Sequence, residues 1–315
     1  MAVESNREVK HFLSQVAGEQ AIDLGAWEAG LRAAVLAAGA TALEQMLSGI
    51  GTGRRKEPVL CACGMRMQSV GIRPKQVLTI LGPVTLKRSW FVCPKCACGR
   101  SWADEALSIS QTGFSPGLRR LMARAGSRET FKNGAEDLKE YAGITVSAKD
   151  VERVAEKTGE AIGCWQQEER DRILRAAQET SSISERTVGH ESVPVLYVSY
   201  DGTGIPMVPR EVAGRRGKQA DGSAKTREVK LGCVFTQTTT GYFTTNQERM
   251  RYAQFRAQGL FVGSGVIEAG CKTIIGMRLK QSGMEWTVRD ANSIIALRCC
   301  SLSNRIEEFW EQRVA

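Results

Sequence analysis

The sequence predicts an α+β protein of several domains, and three observations carry that prediction. Apolar residues recur at helical spacing near the N-terminus, cysteines crowd around a hairpin pattern, and a later β-branched strand ends on an aspartate in a glycine-rich turn. At 315 residues the chain is long enough for two or three domains with their own cores. Its 42% hydrophobic and 24% charged content is that of a globular protein rather than a disordered or fibrous one.

Residues 1–52 read as an N-terminal helical region. Phe12, Val16, Ile22, Leu24, Trp27, Leu31, Val35, Leu36, Leu43 and Leu47 follow a helical period, and the alanine content suits a helical pair able to oligomerise. The segment from Ala29 to Leu47 is broken by Arg32 and Glu44, so no membrane span is expected. The first residues carry Glu4, Arg7, Glu8 and Lys10 and lead into no hydrophobic signal core, which argues for a cytoplasmic, reducing location. There the 10 cysteines are expected as thiols or metal ligands, not disulfides.

Gly49 to Glu57 reads as a linker, and residues 53–108 as a zinc-ribbon-like segment. Two β-branched runs between Gln76 and Val92 surround Gly82-Pro83, which predicts a hairpin turning there. Cys61-Ala-Cys63-Gly64 and Cys93-Pro-Lys-Cys96 flank it. Four thiolates so placed suit one tetrahedral zinc, with Cys98 competing with Cys96 as the fourth ligand. Cys164, Cys233, Cys271, Cys299 and Cys300 lie in apolar runs and read as core residues, and His11 and His190 as surface or boundary residues.

Residues 109–180 return to a helical pattern, opened by Ser115-Pro116 as cap and first helical position. Ala135–Gly143 and Ser147–Ala155 resemble a helix-turn-helix unit, and equally two helices of any bundle. A stretch rich in Ser, Glu and Thr, 178–192, marks a boundary before a domain at 190–315.

In that last domain a strand ends on Asp201, and a glycine loop opens a helix bearing Glu268. Each acid alone is a weak signal, since turns and first helical turns favour acids anyway. Between them Arg210, Arg215, Arg216, Lys218, Lys225, Arg227 and Lys230 outnumber Glu211, Asp221 and Glu228 in a glycine-rich loop, and Lys272, Arg278, Lys280 and Arg289 follow with Trp286 among them. With a net charge of +9, these favour a polyanionic partner. Trp286 alone reads as core.

Asp201-Gly-Thr-Gly-Ile-Pro, the glycine-rich basic run from Gly214 to Gln237, Gly241-Tyr-Phe, Arg249-Met-Arg-Tyr252, Gly259 to Lys272, and Arg278-Leu-Lys-Gln-Ser-Gly-Met-Glu-Trp286 together resemble the ISKra-type insertion-sequence transposases. The likeness is close over the second half and looser towards the N-terminus. It implies an RNase H-like core in which Asp201 and Glu268 are the first and last members of an Asp, Asp, Glu triad. It also implies magnesium or manganese at those carboxylates and transposon-end DNA as partner. A homo-oligomer is implied as well, including one formed with intact transposase copies.

This chain departs from the family where Thr240 joins directly to Gly241, so the segment carrying the second aspartate is missing. Glu211, Asp221, Glu228 and Glu248 are the acids between Asp201 and Glu268, and none ends an apolar strand. The core is thus a truncated RNase H-like α/β core, interrupted at about 240/241, and the expected function is that of a transposase with cleavage impaired or lost. The alternative is a catalytically dead DNA-binding fragment that regulates transposition; a weaker one is a zinc-ribbon regulator.

Overall fold

The computed structural model describes residues 23–54, 58–180, 196–236 and 265–314, with Arg7, Val9, Lys10, His11 and Ser14. The expectations placed on Phe12, Val16 and Ile22, on His190, and on the junction at 240/241 lie outside the described residues. The fold is α+β, with two small antiparallel sheets. The chain divides into two compact units, Met1–Met122 with Ala135–Ser147, and Ala123–Gly134 with Ala148–Ala315.

In the first unit, helix α1 (Leu24–Ile50) opens on Asp23, whose carboxylate accepts from the Ala26 N–H at 3.1 Å and satisfies one of the free donors of the first turn. By length and composition α1 could cross a membrane. Its polar residues instead engage the protein: Glu44 accepts from the Thr85 N–H at 2.8 Å, and Arg32 donates to the Tyr141 carbonyl. Its apolar face, Ala40 with Leu43 and Leu47, packs with Val77, Val84 and Leu86.

Those last residues belong to β1 (Gln68–Thr79) and β2 (Gly82–Val92), the expected hairpin; short β3 (Gly99–Arg100) pairs with β2. The turn differs from expectation. Register closes with Thr79 opposite Gly82, so Ile80-Leu81 forms the loop and Gly82-Pro83 begin the second strand. The turn is displaced from the glycine and proline because Gly82 adopts φ +126, which its lack of a Cβ permits, and Pro83 is tolerated at a strand start. Thr79 Oγ1 pins the loop by donating to the Gly82 carbonyl and accepting from the Leu81 N–H. Beside the hairpin, α2 (Trp102–Ala106) buries Asp104 between Lys75 at 3.0 Å and Arg88 at 2.8 Å, an arrangement that keeps a buried carboxylate paired.

Helix α3 (Pro116–Arg128) starts where Ser115 Oγ accepts from the Leu118 N–H. Helix α4 (Phe131–Ala142) ends at Gly143, which takes φ +68 and donates to the Lys139 carbonyl at 3.0 Å.

The second unit is built on α5 (Ala148–Thr180), 33 residues long and far beyond the expected end at Ala155. Its glycines do not stop it. At Gly159 a Cβ would overlap the Ser293 carbonyl, so glycine there lets α5 meet α9 (Val288–Leu302) at close range. Ile162, Ile294, Leu297 and Phe309 of α10 (Ile306–Val314) fill the core with Ile205, Ile275, Leu279 and Trp286. The sheet pairs β4 (Leu196–Pro206) with β5 (Thr226–Thr236), with α6 (Pro209–Val212) in the connection. Helix α7 (Gly265–Gly270) continues through a π-helical turn, Cys271–Gly276, into α8 (Met277–Leu279).

Candidate metal centre and carboxylate face

The thiol cluster sits at the open end of the β1–β2 hairpin. Cys61 and Cys63 precede β1, and Cys93, Cys96 and Cys98 follow β2. The sulfurs of Cys61, Cys63, Cys93 and Cys96 all lie within 4.8 Å of one another. Cys61 is 3.5 Å from Cys96, and Cys63 is 3.5 Å from Cys93. With metal–sulfur bonds of about 2.3 Å a tetrahedron has edges of roughly 3.8 Å, so these four can hold a metal such as zinc after small adjustment.

The backbone is already shaped for that task. Gly64 takes φ +81 and donates to the Cys61 carbonyl at 2.9 Å, folding the first loop back. In the second loop Ala97 takes φ +55 between bonds that join it to Cys93 and Cys93 to Cys98. The N–H groups of Cys96 and Lys95 donate to Cys93 sulfur and hold its thiol below the usual range, against burial. The N–H of Cys63, then the thiols of Cys98, Cys63 and Cys96, pull Cys61 down to about 6.

Cys63 and Cys98 resist ionisation. The Met65 N–H favours the Cys63 thiolate, but the sulfurs of Cys61 and Cys93 together with desolvation push it up to about 12. Cys61 and Cys96 likewise push Cys98 to about 12. Four thiolates in this space repel one another, and a divalent cation removes that repulsion. Cys98 sulfur lies 3.3 Å from both Cys61 and Cys96, so a fifth thiol stands beside the group of four without belonging to it.

The carboxylates lie in the other unit. Asp201 is exposed on β4, where its side chain accepts from the Gly202 N–H at 2.7 Å. Strand register places it opposite Leu231, on the face that also carries Thr203, Ile205 and Cys233. Ile267 of helix α7 and Cys271 of the π-helical turn pack on this face against Leu231. Cys271 hydrogen-bonds Asp201, and burial first, then the Asp201 charge, raises its thiol pKa. Glu268 is exposed one helical turn before Cys271. Lys280 donates to Thr203 Oγ1 and so stands on the same side.

The other acids of the region do not join them. Glu228 pairs in register with Gly204 and turns its carboxylate over Gly202, on the opposite face of the two-stranded sheet from Asp201. Asp221 caps a tight turn, accepting from the Ser223 N–H at 2.9 Å. Glu211 pairs with Arg227 at 3.5 Å. A two-cation centre needs three or more converging carboxylates as a rule, and the described residues of this face do not supply them.

Arg215, Arg216, Lys218, Lys225 and Lys230 are exposed on and beside β5, and Lys272 and Lys280 on the helix after Glu268. Arg278, expected among the DNA-contacting cations, is a correction: it is 0% exposed. Its guanidinium lies over the rings of Phe131 and Trp286 at 4.5 and 5.1 Å and donates to the Gly126 carbonyl, with burial lowering its pKa to about 10. Such an arginine cannot reach a phosphate. Its neighbour Arg298, which no sequence motif singles out, donates to the Ser127, Thr273 and Ile274 carbonyls, joining the end of α3 to the π-helical turn. Trp286 is buried, as its core reading required, with Nε1 donating to the Leu279 carbonyl.

A scan against protein-family models matches none of them, and no curated protein matches the chain.

Proposed function

We propose that the chain is a DNA-binding protein of the insertion-sequence transposase type, of ISKra character, in which strand cleavage is impaired. One observation carries this reading: Asp201 and the helix of Glu268 meet on one face of the β4–β5 sheet, beside an exposed basic loop. In this reading the thiol cluster is a zinc ribbon that fixes the first unit, transposon-end DNA is the partner, and self-association with copies of the chain or an intact transposase accompanies binding in the cytoplasm. The missing third carboxylate favours a second form of the same reading, a regulator that binds without cutting. The donors on this face do not fit a two-cation magnesium centre, so cutting is not assigned to it.

The test is salt dependence. Neutralising phosphates releases counterions, so affinity for duplex DNA should fall steeply as salt rises, by about 0.9 in log–log slope per contact. Replacing Arg215, Arg216 and Lys218 by alanine should reduce that slope by up to about 3. Binding that ignores salt, or a slope unchanged by the triple substitution, removes the basis for the reading.

A further inference from the structure

The cysteine cluster holds one thiol more than a tetrahedral metal can use. Zinc takes four ligands, and Cys61, Cys63, Cys93 and Cys96 supply them, which leaves Cys98 without a task in the ribbon. Its backbone is nevertheless fixed. The Cys98 carbonyl accepts from the Cys93 N–H at 2.9 Å, and the next residue, Gly99, enters β3 so close to the Trp90 ring that a Cβ would overlap it. Cys98 is therefore tied to the β2–β3 pairing rather than carried on a loose tail.

What Cys98 touches gives it a use. Its sulfur lies 3.3 Å from that of Cys61, on the other loop, and 3.3 Å from that of Cys96, two residues back. Cys98 is exposed and Cys61 buried, so the first contact joins a thiol open to solvent with a ligand of the metal. Both residues line one cavity of about 270 Å³, with Met67, Trp90 and Arg100, which is room for a molecule as small as hydrogen peroxide. A disulfide needs its sulfurs about 2.05 Å apart, a closure of about 1.2 Å from the observed contact. Joining Cys61 to Cys98 links the loop before β1 to the loop after β2, the same two loops that a metal would link, whereas joining Cys96 to Cys98 closes a ring within one loop. Only the first bond holds the open end of the hairpin once the metal has left.

We propose that Cys61 and Cys98 are a site of oxidative modification, at which hydrogen peroxide replaces the metal crosslink by a disulfide. The Cys61 thiolate takes one oxygen of the peroxide and becomes a sulfenic acid, and the other oxygen leaves as hydroxide. The Cys98 thiol then attacks the Cys61 sulfur, and its proton departs with the sulfenic oxygen as water. Two electrons pass from the sulfurs to the peroxide, and the zinc, left with three protein ligands, is released. The release of metal rests on the zinc-ribbon reading; the sulfur pairing rests on the contact alone.

Disulfide mapping by mass spectrometry on the zinc-loaded full chain, treated with stoichiometric hydrogen peroxide while a chromogenic chelator follows zinc release, tests it. The parent should yield a Cys61–Cys98 disulfide and lose its zinc in step with it, and dithiothreitol with added zinc should restore both. Cys98→Ser should hold zinc before treatment and release it roughly tenfold more slowly under peroxide, having lost the thiol in contact with Cys61. Cys164→Ser, which removes an exposed thiol of the other unit, should behave as the parent. Zinc release from Cys98→Ser at the parent rate, or a map showing Cys96–Cys98 in place of Cys61–Cys98, overturns the proposal. A chain that carries no zinc before peroxide yet forms the Cys61–Cys98 bond loses the ribbon reading and keeps the modification site.

Discussion

The thiol cluster and the carboxylate face are two sites of the same chain in opposite states of completion. At the first, four donors converge on one point, and backbone N–H groups point at the sulfurs of Cys61 and Cys93. At the second, one exposed carboxylate receives bonds from the adjacent backbone and a cysteine thiol, and a second stands a helical turn from that cysteine. A ligand set carried by one hairpin and its flanking loops is self-contained. A set distributed over a sheet and a helix depends on every element that carries a ligand, and the described residues bring only Asp201 and Glu268 towards this face.

The largest effect that can break this comparison is metal removal. Zinc at such sites contributes about 10–16 kcal/mol of apparent binding free energy at neutral pH, which becomes folding free energy. Purified protein should contain one zinc per four-thiolate site. Chelation, or Cys93→Ser, should lose the metal and melt the β1–β2 hairpin in circular dichroism and thermal unfolding, whereas Asp201→Ala at its exposed position should shift stability by less than about 0.5 kcal/mol. A folded, zinc-free parent protein would erase the contrast.

A smaller effect separates the ligands themselves. Because Cys98 sulfur lies 3.3 Å from both Cys96 and Cys61, it can move in when Cys96 is lost, so either single serine substitution should keep zinc in elemental analysis, and only the double substitution should release it. Loss of zinc from Cys96→Ser alone would show that Cys98 is a bystander.

The smallest effect concerns proton binding in the second unit. Burial, reinforced by Asp290 and Glu152, raises the Glu156 carboxyl from 4.5 to about 7. The folded state then holds this proton more tightly than the unfolded chain does, so the stability it contributes is complete below pH 4.5 and is lost as pH rises through 7. Denaturant midpoints should fall across that window in the parent and change less in Glu156→Gln. A parent profile identical to that of the variant would contradict the desolvation of Glu156 on α5.

How much of the molecule is legible in the sequence follows the range of the interactions. The hairpin, its cysteine pairs and the start of α3 rest on local spacing, and each can be read directly. The hairpin loop lies two residues before its sequence signal because glycine and proline mark turns in sequence but here begin a strand. Arg278 reads as a DNA contact because its cationic neighbours suggest a basic run. Only the packing of Phe131 and Trp286 around it, with Phe131 distant in sequence, shows it buried. The need for Gly159 and the length of α5 are hidden for the same reason, since the close approach of α9 that requires a glycine is a tertiary fact. The sidedness of Glu228 depends on strand register, which no count of acids between Asp201 and Glu268 supplies.

The central claim, that this chain holds DNA while its carboxylate face lacks the donors for cutting it, is tested most directly by nicking of supercoiled plasmid in magnesium and in manganese, with Asp201→Ala assayed in parallel and binding measured in the same solutions. Salt-sensitive binding by both chains is expected, with nicking that does not rise above the Asp201→Ala level. Magnesium-dependent nicking by the parent that disappears in Asp201→Ala would contradict the claim.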